Sequence, residues 1–137
     1  MLARVTATLL LLSASLPSAQ EAPRSAEALA RWPQPVLVSA LAGRQVLENR
    51  LNQRVLGRIE TVAREGERVS LVVSRAGWPW QSRRCAVLPV EAVALLGQFV
   101  VVMDLDDAQF EALPNRCEAP GARLAGDVSI RVGLTKN

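Results

Sequence analysis

Histidine and tyrosine are missing from all 137 residues. With them go the commonest general base, the commonest metal ligand and a phenolic proton donor. Neither a glycine-rich phosphate loop nor a Gly-x-Ser-x-Gly elbow occurs, so the sequence offers no P-loop and no α/β-hydrolase nucleophile. Its carboxylates do not form a catalytic pair at any useful spacing, with Glu60 and Glu91 far apart. The chain reads as non-catalytic, without metal or other cofactor. Blocks of like charge are also missing: 16 basic and 13 acidic side chains alternate along the chain, and only Lys136 among the bases is lysine. This pattern gives no footprint for nucleic acid or for an anionic membrane surface.

What is present begins with an address. Arg4, the apolar run from Val5 to Leu12, the helix-breaking Pro17 and the small residues Ser18 and Ala19 follow the three-part plan of a cleaved secretion signal. The run is interrupted by Ser13, Ser15 and Pro17 well short of the roughly 20 apolar residues a membrane span needs. Residues 1–20 are therefore predicted to be removed, leaving no membrane span and placing the protein in the periplasm or outside the cell. What remains has the length of one domain.

Residues 21–37 carry Ala, Ser, charge and the prolines Pro33 and Pro35, and are expected to be a flexible lead-in. Beyond them, short β-like segments alternate with turn signals. Val46 to Glu48 is a strand, and Asn49 to Gln53 a turn in which Asn52 suits a left-handed backbone. The clearest element is a hairpin from Val55 to Ser74. Its first strand is expected to set Val55, Gly57, Ile59 and Thr61 on one face, its second Val69, Leu71 and Val73, with Glu65-Gly66 reversing the chain. Cys85 to Leu88 and Phe99 to Val102 are further strands, and Val90 to Leu96 is either a helical turn or extended. Asp104 to Pro114 reads as a short helix, capped by Asp106 with Gln109 three residues on. A calcium loop would need a glycine among these carboxylates, and there is none. After a loop, Asp127 to Val132 alternates as a last edge strand.

Two features remain. Cys85 and Cys117 are the only cysteines, and an even count in an exported domain reads first as a disulfide, the other reading being one buried and one loose thiol. The loop Gly77 to Arg84 carries Trp78-Pro79-Trp80 and the pair Arg83-Arg84. Tryptophan and arginine are enriched at binding hot spots, so Trp78, Trp80, Arg83 and Arg84 form a candidate docking loop. Alternatively the indoles cover the open end of a small barrel.

The ordered set Leu41-Ala-Gly-Arg-Gln-Val46, Asn49, Leu56-Gly-Arg-Ile59 with its hairpin, Leu88-Pro-Val-Glu-Ala-Val93, and Asp104 to Pro114 resembles the PRC-barrel family. The resemblance spans residues 38–114, with 115–137 as a tail. Asn52 stands where the family has a turn glycine, Val90 replaces a frequent tryptophan, and Gly77 to Arg84 departs from the usual glycine-rich loop. It implies an all-β domain: a small, strongly curved barrel of about six strands with one short C-terminal helix, and Ile59, Val69, Leu71 and Val73 inside. The family serves as a docking module in the photosynthetic reaction centre H subunit and in a ribosome maturation factor, both in the cytoplasm. For an exported chain the resemblance implies an adaptor for a protein or envelope partner, or else a small-ligand or pigment carrier using the barrel mouth.

Overall fold

A computed structural model describes residues 32–49, 53–77, 80, 82–103 and 105–135. The expected secretion signal, Asn52, Trp78 and Asp104 lie outside the described residues. The fold is all-β. One sheet holds nine strands: β1 (Pro33–Leu37), β2 (Gln45–Glu48), β3 (Val55–Glu65), β4 (Arg68–Arg75), β5 (Cys85–Pro89), β6 (Val93–Leu96), β7 (Phe99–Val102), β8 (Ala122–Arg123) and β9 (Ser129–Leu134). Two short helices accompany it, α1 (Val38–Leu41) and α2 (Asp107–Glu111), with a single 3₁₀ turn at Val90–Ala92.

The strand order is β1-β9-β6-β7-β2-β3-β4-β5, with β8 beside β3. The β2/β7 and β6/β9 pairs are parallel and the rest antiparallel. This corrects the expected six-stranded barrel: there are nine strands, and the sheet is not closed. The physical reason lies at its two edges. β5 runs through the 3₁₀ turn into β6, whose two sides are already taken by β7 and β9. At the free edge of β5 the backbone N–H of Cys85 donates to Asn115 Oδ1 at 2.9 Å, and Arg116 N–H donates to the Cys85 carbonyl at 3.0 Å. Tail residues thus occupy the place a closing strand would need. At the other edge, Pro33 and Pro35 bring no N–H to a further ladder.

Two boundaries also move. Pro33–Leu37, expected in the flexible lead-in, pairs along its whole length with β9. Proline is tolerated there because β1 is an edge. The strand after Asp127, expected at an edge, is interior, between β1 and β6. The sheet therefore extends past residues 38–114 on both sides.

Alternation forms the core, and two bulges shift it. On β4, Val69, Leu71 and Val73 point inward, facing Ala86 and Leu88 of β5. On β3 the inward residues are Leu56, Ile59 and Val62, three apart instead of two. Ladder irregularities at Leu56 and Glu60 account for both steps, since each bulge adds a residue and turns the strand. Val55 is consequently 46% exposed, and neither it nor Thr61 shares the inward face expected for them. Gly57 sits at the tightest approach in the sheet: a Cβ there would lie 2.0 Å from the Ser74 carbonyl oxygen. Among the described residues of the β2–β3 turn, Gln53 is left-handed, with φ 39°.

Two helices close the ends. α1 buries Val38 and Leu41, and is tied to the tail by Val38 N–H donating to the Val128 carbonyl at 2.9 Å. α2 begins at Asp106, whose side chain accepts from Gln109 N–H while the Gln109 side chain accepts from Asp106 N–H, completing the expected capping box. It inserts Phe110, fully buried, into the core.

Candidate functional site

Cys85 and Cys117 are bonded, with Cα atoms 4.9 Å apart. Cys85 pairs with Ser74 on β4 and shares its outward phase, because the neighbouring Val73 and Ala86 both face the core. The bond therefore holds the tail on the outer face of the sheet. Beyond Cys117 the chain reaches β3, where Ala122–Arg123 pair with Arg64 and Ala63 as β8. Gly121 makes this seat possible: its φ is +84°, and a Cβ would meet the Arg64 carbonyl oxygen at 2.3 Å. Val72, on the outward phase of β4, is 1% exposed.

The candidate docking loop is fixed at both feet. At the first, Arg75 N–H donates to the Arg84 carbonyl at 2.8 Å and Ala76 N–H to the Leu56 carbonyl at 3.0 Å. At the second, Arg84 runs directly into the disulfide-bonded Cys85. Between the feet Trp80 is 78% exposed. It does not fill the core, and Phe110 and the flanking Arg75 do so at this end instead. Trp78 lies outside the described residues. The structure thus brings Trp80, Arg83 and Arg84 to one margin of the sheet, beside the disulfide.

Arg75 is the residue the sequence reading passed over. It continues the inward phase of Val69, Leu71 and Val73, and its side chain is 2% exposed. Its guanidinium lies 5.6 Å from the Phe110 ring centroid. It donates to the carbonyls of Glu111 at 3.2 Å, Leu113 at 2.5 Å and Pro114 at 3.4 Å. A planar fork of donors suits the unpaired carbonyls at a helix C-terminus, where a cation also complements the dipole. An arginine in a core phase was the available signal.

Two carboxylates border the loop. Arg83 is ion-paired with Glu60, and Arg84 Nη1 lies 3.8 Å from Glu111 Oε2. Pairs this exposed contribute about 0–1 kcal/mol each, so they orient the arginines without locking them. One cleft of about 110 Å³ is lined by Ser74 to Gly77 and Ser82 to Arg84. A second of about 300 Å³ shares Ser74 to Gly77 and adds Gln45, Val55, Gly57 and Arg58.

Among the described residues no group of three or more Asp, Glu or Cys side chains is placed to hold a metal ion, and Asp106 serves as a helix cap. No helix among them is long and apolar enough to cross a membrane. A scan against models of known protein families finds no match, and a search of characterised proteins finds no relative.

Proposed function

We propose that this is an exported, non-catalytic adaptor of the PRC-barrel type that docks a protein or envelope component through the loop from Gly77 to Arg84. The observation that carries this reading is the loop's construction: a tryptophan 78% exposed, held between feet fixed by backbone hydrogen bonds and a disulfide. An anchored aromatic pays little ordering entropy on binding. The disulfide fits a protein that works in an oxidising compartment, the periplasm or the exterior. A carrier reading draws less support, because the interior is occupied by fully buried Phe110, Leu41, Leu71 and Val100.

The test is affinity capture from the native envelope fraction, with the double substitution Trp78→Ala, Trp80→Ala as comparison. Loss of capture with an unchanged circular dichroism spectrum and melting temperature supports docking through the loop. Equal capture by the variant, or a variant that unfolds, overturns it.

A further inference from the structure

The charges around the loop are more selective than docking alone requires. The clefts share Ser74 to Gly77, and among the described residues no acidic side chain lines either one. Arg75 is committed to the carbonyls of and after α2, which leaves Arg58, Arg83 and Arg84 as the cations available to a ligand. Arg58 is exposed and has no ion pair among the described residues. Arg83 and Arg84 hold only exposed partners, Glu60 and Glu111, and such pairs exchange readily for a better placed carboxylate.

We infer that the two clefts form one basic surface for an extended acidic segment of a partner protein, lying across Ala76 and Gly77. This rests on the docking reading and names its partner's chemistry. Carboxylates of the segment face Arg58 in one cleft and Arg83 and Arg84 in the other. Its apolar residues lie on Val55, 46% exposed, and on Trp80. A segment of chain is favoured over a lipid surface because three arginines fall short of the roughly four to eight that mark a polybasic membrane site.

The probe is a short fluorescein-labelled peptide of alternating Glu and Val, its Gln-for-Glu twin, and vesicles of phosphatidylglycerol, titrated against the disulfide-bonded mature protein. The Glu peptide is expected to bind at least about tenfold more tightly than its twin, with the preference fading as salt rises. Arg58→Glu and Arg84→Glu should each weaken it about tenfold without moving the melting temperature. Where a reversal disturbs the fold, Arg58→Gln and Arg84→Gln carry the same comparison. Equal binding of the twin, binding of neither peptide, or stronger uptake by vesicles overturns the inference. Envelope capture separates the two readings. If the tryptophan variant loses the partner while the charge reversals keep it, docking stands and the acidic segment falls; if all variants keep it, both fall.

Discussion

The two faces of β4 are covered by different means. Inward, Val69, Leu71 and Val73 meet side chains from β3, β5 and α2 in a continuous apolar core. Outward, Val72 is just as thoroughly hidden, on the face to which Cys85 ties a tail whose residues from Pro114 to Arg123 are mostly exposed. The inner cover is made of area removed from water, in proportion to the side chains buried. The outer cover has little such area. It persists because a disulfide, the hydrogen bonds at Cys85 and the short β8 pairing keep the tail in place. One face is thus stabilised in the folded state, the other largely by limiting the unfolded one.

The contrast breaks most sharply at Phe110. Phe110→Ala should lower stability by about 3–5 kcal/mol, measured by chemical denaturation, and by the same amount in oxidising and reducing buffer. Next comes Cys85→Ala with Cys117→Ala. Opening a loop between residues 32 apart in sequence should lose roughly 3–4 kcal/mol. Reductant should reproduce this in the native protein and add nothing in the double variant. Hydrogen exchange should then rise in the tail and at Val72 before it rises at Leu71. A smaller effect sharpens the comparison from the side of α2: Asp106→Ala should lose about 1 kcal/mol, with faster exchange confined to the first turn of that helix.

The inner face was far more legible than the outer. Alternation revealed Val69, Leu71 and Val73, and the Asp106/Gln109 spacing revealed the capping box, because both signals are local. The Cys85–Cys117 bond followed from a count of two. The phase of β3 did not, because bulges at Leu56 and Glu60 depend on what β2 and β4 demand. Arg75 was passed over because its partners lie 36 to 39 residues away. Pro33–Leu37 looked irregular because proline forbids an interior strand yet permits an edge, and only the partner decides which. At the candidate site, sequence supplied the aromatic and basic residues of the loop. It did not supply Glu60 and Glu111 as their neighbours, since those contacts arise from strand register and from where α2 lands.

The interior position of β9 has a kinetic consequence. β1 is the first of the described strands, yet it pairs only with β9, the last. β6 likewise keeps one side unpaired until β9 arrives. A chain synthesised or translocated amino end first can assemble the β3/β4 hairpin early, while β1 waits for nearly the whole domain. Such sequence-distant pairing slows folding. When β9 becomes available it joins two otherwise incomplete parts of the sheet, β1 and the β6 side, in one step.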